Sequence, residues 1–266
     1  MRSLKLPAWA IGIIGVLGII AVWWIIAVIV ARPGANYTPV PAPPDVLVAI
    51  FTGFGGWTPA FTVTLTEAAI GYFWGNLIAL VLSAFVLVVP RAEGILSQIA
   101  VISYCVPIIV VGRIAIIIIG GSKGAGMPST TAVFLAGLSV FFTTVVGTLL
   151  GLKAADRASL DVVTVYGGSK FTQLRKVRLI AALPQILSAL QIAVPAAFLG
   201  AILGEYFGKT DRGVGPALIG SQIQLQSDRV WALFILCAAV SIIGYGILGL
   251  IGRIVAPWSV AKRSAV

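Results

Sequence analysis

Three short stretches hold most of the residues in this chain that could do chemistry. Residues 204–210, GEYFGKT, end like a phosphate-binding loop, which needs Gly-x4-Gly-Lys-Ser/Thr so that backbone N–H groups can cradle phosphate. Leu203 stands where the first glycine belongs and Gly204 comes one position late, so the match is rejected. Arg113 lies in IIVVGRIAIIII, and Glu67 and Glu205 also interrupt apolar sequence. An ionisable group within a membrane span is costly and is a functional candidate by default. Arg113 could attract an anionic solute, or pair with Glu67, Glu205 or a backbone carbonyl. The two glutamates lie nearer the ends of their runs, where a side chain can snorkel to water. Residues 166–184, YGGSKFTQLRKVRLIAALP, set Lys170, Arg175, Lys176 and Arg178 behind two glycines and a serine.

Other chemistry finds little support. The chain has no histidine, no acidic cluster and no nucleophile–base pair, which leaves a membrane enzyme without a candidate centre. Its two cysteines, Cys105 and Cys237, both lie in apolar runs and read as structural thiols. A metal site and a disulfide framework are poorly supported for the same reasons.

The elements that would position these residues are membrane spans. The 266 residues are 59% hydrophobic and only 10% charged, against about 25% in soluble domains. A span needs about 20 mostly apolar residues. Six such runs can be marked, at 8–30, 61–89, 95–119, 130–152, 181–207 and 230–251. The expected fold is an all-α integral membrane protein with about six transmembrane helices spread over residues 8–258. The third run is interrupted by Pro107 and Arg113. Pro107 could mark a kink lining a pathway or a plain bend.

Residues 31–60 read as an external linker, because ARPGANYTPVPAPPDV at 31–46 cannot be helical throughout and the apolar piece 47–54 is too short to span. The first run exceeds a signal-peptide core, so it reads as a retained span.

The net charge of +10 follows the positive-inside rule rather than implying nucleic acid. With the N-terminus inside, twelve cations fall on the inner side and five outside. The inner set includes Arg2, Lys5, Arg91, Lys262 and Arg263, and the outer set includes Arg32 and Lys209. Both termini, 1–7 and 259–266, and the interval 153–180 are therefore expected in the cytoplasm.

Within that interval, residues 160–166 suit two turns of helix with Ser159 as cap. Gly167 and Gly168 supply a sharp corner. Ser169 then caps a second helix on which Phe171, Leu174 and Val177 share a face. An amphipathic helix resting on acidic headgroups would account for the cations. The short helix and glycine corner ahead of them look more like a docking elbow for a cytoplasmic partner.

This arrangement resembles the EAA loop in the membrane subunits of ATP-binding-cassette importers, in the branch that serves nitrate, sulfonates, taurine and pyrimidine or flavin precursors. Asp161, Val162 and Val163 fall on its Glu-Ala-Ala, and Gly167 falls on its glycine. Val177 and Leu179 fall on its ending, and Ala181-Ala182-Leu183-Pro184 matches a further extension. Ile180 replaces a proline, and the valines are bulkier than the alanines, in the manner of a divergent branch or of one half of a heteromeric pair. GEYFGKTDRGVGPAL at 204–218 and Pro257-Trp258 resemble other family segments, and the likeness runs from about 41 to 258.

The resemblance implies a type I importer permease in a bacterial inner membrane. It implies coupling to the ATPase through Asp161, Val162, Val163, Tyr166, Gly167, Gly168, Ser169 and Lys170. The implied partners are cytoplasmic ATPase subunits carrying ATP and Mg, a second permease copy or relative, and an external substrate-binding protein. No cofactor is expected on this chain, and no metal. Arg113, Glu205, Tyr104 and Pro107 are the candidate pathway residues. The competing reading is a stand-alone secondary transporter or channel.

Overall fold

The structure, a computed structural model, describes residues 7–31, 38–124, 126–208 and 210–259. Arg2, Lys5, Arg32, Lys209, Lys262 and Arg263, used in the charge count, lie outside the described residues, as does nearly all of both termini. The described residues form helices and no named strand. These are α1 (Ala8–Val30), α2 (Pro43–Val88), α3 (Ala92–Cys105), α4 (Ile108–Ile119), α5 (Thr130–Lys153), α6 (Arg157–Val165), α7 (Lys170–Gln173), α8 (Leu179–Phe207), α9 (Val214–Ile223) and α10 (Ser227–Val255). A π-helical turn, Leu174–Arg178, joins α7 to α8. Among the described residues five helices are long and apolar enough to span, and α3 with α4 makes a sixth if the bent pair counts as one.

One expectation needs correction. Residues 43–60 are not linker but the start of α2, which runs 46 residues and contains Pro59. Pro43 and Pro44 sit in its first turn, where an N–H has no intrahelical partner to lose. The third run breaks at Pro107, as its sequence suggested, and α3 and α4 meet there at 95°. Pro107 has no N–H to continue α3 and forces Val106 into an extended conformation, with ψ 125°.

The chain forms two compact units, residues 1–58 with 217–238 and residues 59–216 with 239–266. In the first, Trp23 stacks on Trp231 with ring centroids 5.4 Å apart. The Trp23 indole donates to the Pro41 carbonyl at 3.2 Å, and the Trp231 indole to the Pro39 carbonyl at 3.3 Å. Two carbonyls of the proline-rich stretch thus meet indole donors. Val46, Ala49 and Ala232 fill the core beneath.

In the second unit, small residues let helix backbones approach, as membrane helices need without a hydrophobic drive between them. Along α8 the stripe Ala182, Ala189, Ala193, Ala197 and Ala201 is buried against its neighbours. A Cβ on Gly200 would lie 2.7 Å from the Leu135 carbonyl, and one on Gly151 would lie 2.9 Å from that of Ala182. Gly204 leaves no room either, because a Cβ there would strike the Ala132 backbone. On α2, Gly75 meets the backbone of Gly137 in the same way.

Ordinary overpacking costs about 1–3 kcal/mol because side chains can move aside. Here the obstacle is backbone, so Gly204→Val should exceed that cost and melt well below wild type in detergent. Gly246→Ala, at a position open within 4 Å, should melt with wild type. Equal melting of the two variants would show that the seam is not packed as described.

Candidate functional site

The elbow expected from the sequence is present and braced. α6 begins at Arg157 rather than after Ser159, and Asp156 occupies the cap position without a capping hydrogen bond. Ser159 instead lies in the first turn, with its hydroxyl 3.5 Å from the Asp156 carboxylate. Gly167 takes φ +76°, the left-handed geometry that favours glycine. The Gly168 N–H closes back on the Val163 carbonyl at 2.8 Å. Ser169 caps α7, its hydroxyl accepting from the Thr172 N–H at 3.3 Å. Gln173 then ties α7 to α6, donating to the Thr164 hydroxyl at 2.7 Å and the Leu160 carbonyl at 3.3 Å.

The tip of this braced corner is apolar and bare. Val165 is 84% exposed and Tyr166 87% exposed. Val162 also faces out, whereas Val163 packs under Gly168, where a Cβ would crowd it. One of the two valines therefore reaches the surface and the other supports the corner. Asp161 and Lys170 are exposed, and Gly167 stands at the apex. The shared face of Phe171, Leu174 and Val177 is only partly kept. Phe171 is exposed while the other two are half-buried, because the π turn shifts the register between them.

Glu205 and Glu67 do not snorkel. Both are fully buried, and they face one another near the N-terminal end of α5. The Thr64 hydroxyl donates to Glu205 Oε1, and the Gly215 N–H donates to Oε2 at 2.7 Å. The Thr64 oxygen in turn accepts from the Val214 N–H at 2.9 Å. Glu67 Oε1 accepts from the Ser129 N–H at 2.6 Å. The Gly-x-Gly of this stretch now has a reason. A side chain on Gly213 would overlap the Glu205 carboxylate, and one on Gly215 would sit 2.8 Å from the Glu205 Cβ. Thr210, the last residue of the rejected phosphate motif, is buried with its hydroxyl on the Glu205 carbonyl at 3.4 Å.

Arg113 is exposed on α4, with its guanidinium carbon 4.9 Å from the centroid of the Phe207 ring. No carboxylate pairs with it among the described residues. Tyr104 is exposed at the end of α3 and stacks on Phe142 at 4.6 Å. Pro107 stands at the 95° bend. The structure thus places Tyr104 on α3, Arg113 on α4 and Pro107 at the break between them, and no ion pair joins Arg113 to Glu205 among the described residues.

A polar cavity of about 760 Å³ was missed by the sequence reading. Gln185, Ser188 and Gln191, one every third residue of α8, line it together with Arg253 of α10. Gln191 donates to the Tyr245 carbonyl at 3.2 Å, and Gly249 leaves room for its amide. The signal was available in QILSALQ: three hydrogen-bonding side chains on one face of a span have no business against lipid tails.

The helices, the elbow and the polar face together describe a multi-pass membrane transport component. Residues 71–259 match the family of binding-protein-dependent transport system inner membrane components, and the chain belongs to that family. It is 29% identical over 233 residues to a probable ABC transporter permease protein of Haemophilus influenzae, covering 88% of this chain and 90% of the relative. It is 26% identical to the formylaminopyrimidine transport permease protein ThiX of Halalkalibacterium halodurans, over 73% of this chain and 75% of that one. A putative aliphatic sulfonates transport permease protein, SsuC of Bacillus subtilis, is 28% identical over 50% of this chain and 48% of its own length.

The carboxyl network makes a prediction about stability. Thr64→Val removes a donor to Glu205 and leaves the buried Val214 N–H unpaired, at a cost of about 1–3 kcal/mol. Thr64→Ser should restore most of that. A denaturant titration of the detergent-purified chain would show the ordering wild type, Ser, Val. A Val variant as stable as wild type would remove Thr64 from the network.

Proposed function

We propose that this chain is the pathway-forming permease of an ATP-driven importer for a small polar or anionic solute. The solute class is nitrate, sulfonate and taurine, or vitamin precursors. The chain works beside a second permease, either a copy or a relative. Two cytoplasmic ATPases, which bind ATP and Mg, dock on the elbow of residues 160–180, and an external binding protein delivers the solute. The chain hydrolyses nothing itself. It sits in a bacterial inner membrane with both termini in the cytoplasm. The relatives' names span a formylaminopyrimidine and aliphatic sulfonates, which is why the solute is given as a class.

The observation that carries this reading is the bare apolar tip on a rigidly braced corner. A solvent-facing Val165–Tyr166 pair wins nothing from water and is suited to fill a groove on a partner. Closing of the ATPases would push the elbow and, through the π turn, the whole of α8. The polar face at Gln185, Ser188 and Gln191 lies on that same helix and is well placed to line the pathway. Arg113 supplies a cation without a carboxylate partner among the described residues, suited to drawing an anion.

Two experiments test this. Because Tyr166 is almost fully exposed, Tyr166→Asp should leave the melting temperature unchanged yet lose the ATPase on affinity purification and abolish ATP-dependent uptake. A variant that keeps its ATPase, or a wild-type chain that arrives alone and moves solute without ATP, would overturn the coupling reading in favour of a secondary transporter. In vesicles that accumulate labelled nitrate, taurine or a formylaminopyrimidine, Gln191→Leu should raise KM about tenfold, the scale of one lost hydrogen bond. Unchanged uptake would remove this face from the pathway.

A further inference from the structure

At the foot of the elbow lies a second cavity, of about 540 Å³, within the range of about 300–1,000 Å³ typical of small-molecule sites. Its walls are apolar, from Val86 of α2, Leu149 and Leu152 of α5, and Phe171 and Leu174 of the elbow stem. Its lining also carries Lys153, Lys170 and Arg178, with Glu93 as the single carboxylate. Glu93 is spent on an ion pair with Lys153, which leaves Lys170 and Arg178 without a carboxylate among the described residues. The cavity is therefore a greasy pocket with net positive charge where α2 and α5 end.

One further group points to an occupant. Ser83 lines this cavity, is fully buried, and its hydroxyl has no hydrogen-bond partner. A helical serine ordinarily returns its O–H to a carbonyl of the preceding turn. Ser139 does so on Leu135 and Ser103 does so on Ala100. Ser83 keeps its donor free beside an unfilled volume, where an unmade bond is costly.

We propose that this cavity seats one anionic phospholipid of the cytoplasmic leaflet, its phosphate at Lys170 and Arg178, an ester carbonyl on Ser83, and the start of an acyl chain along Val86, Leu149 and Leu174. Charge and apolarity together select a phosphate-bearing amphiphile over free phosphate or a neutral lipid. Five of the lining residues, Lys170, Phe171, Gln173, Leu174 and Arg178, belong to α7 and the π turn, the stem that joins the elbow to α8. The bound lipid would wedge that stem against α2 and α5, so occupancy bears on how an elbow displacement reaches α8. The proposal rests on the reading that puts the elbow on the cytoplasmic side.

Native mass spectrometry of the full chain, purified with whatever ATPase accompanies it, tests the proposal. The probes are phosphatidylglycerol, phosphatidylcholine and inorganic phosphate. One phosphatidylglycerol per chain should be retained at least tenfold more tightly than phosphatidylcholine. Arg178→Gln and Ser83→Leu should each weaken retention, Arg178→Gln about tenfold, while Lys176→Gln, an exposed cation outside the cavity, should leave it unchanged. Equal loss in Lys176→Gln would reduce the effect to diffuse surface attraction and overturn the site. Equal retention of phosphatidylcholine would overturn the anion selectivity, and displacement by millimolar inorganic phosphate would make the ligand free phosphate. ATPase in the same preparations separates the two readings. Its presence without retained lipid sinks the lipid site alone, and its absence sinks the coupling reading.

Discussion

The close contact of α5 with α8 is the constraint on which the rest depends. Two helices in lipid gain nothing from burying apolar surface against each other, so they must gain from backbone approach and dense packing. The alanines and glycines from Ala182 to Gly204 permit that approach along nearly the whole of α8. Once α8 is fixed against α5, its two ends are fixed as well. One end continues through the π turn into the elbow, and the other carries Glu205 into the network that holds the loop before α9. At about 1.5 Å per residue, the 29 residues of α8 make a strut of about 43 Å between the elbow and a buried polar lock.

The polar lock obeys the same solvent logic. A buried carboxyl costs least when donors meet it. Here the donors are the Ser129 and Gly215 N–H groups and the Thr64 hydroxyl rather than a cation, while Glu67 Oε2 has no partner among the described residues. The main-chain donors come from loop ends flanking the helices, Ser129 before α5 and Gly215 at the start of α9, where the neighbouring Val214 N–H holds the Thr64 hydroxyl. The two glutamates therefore gather the loop ends and fasten them to α2 and α8. Gly213 and Gly215 are small because the carboxylate fills the place a side chain would take.

What could be read from the sequence was local. Apolar length placed α1 at Ala8–Val30 and the start of α5 at Thr130, and glycine chemistry placed the corner at Gly167. The start of α2 was missed because prolines were read as helix breakers, though in a first turn they are harmless. The bend at Pro107 was visible, but its 95° was not, since a proline fixes that a helix must yield and leaves the angle to its packing. The lock was the hardest to see. Thr64 and Glu205 are 141 residues apart, and a threonine among apolar residues carries no mark of its partner. The polar stripe on α8 was legible in principle from its spacing of three, yet it was hidden by the conspicuous cations next to it.

The cations themselves divide by what surrounds them. Arg175 and Lys176 are exposed on the π turn, where water and headgroups can meet them, while Arg178 is half-buried in the wall of a cavity. Arg113 is exposed as well, but on α4. It rests its charge on the face of Phe207, a contact worth about 0.5–1 kcal/mol when exposed and about 2 or more when desolvated. That is less than the cost of a charge at the centre of a span, about 2.5–3.5 kcal/mol even on the mildest scale. The balance closes only if Arg113 also reaches water or an anion. The bend at Pro107 carries α4 off the line of α3, and Arg113 stands on that helix with no carboxylate partner among the described residues.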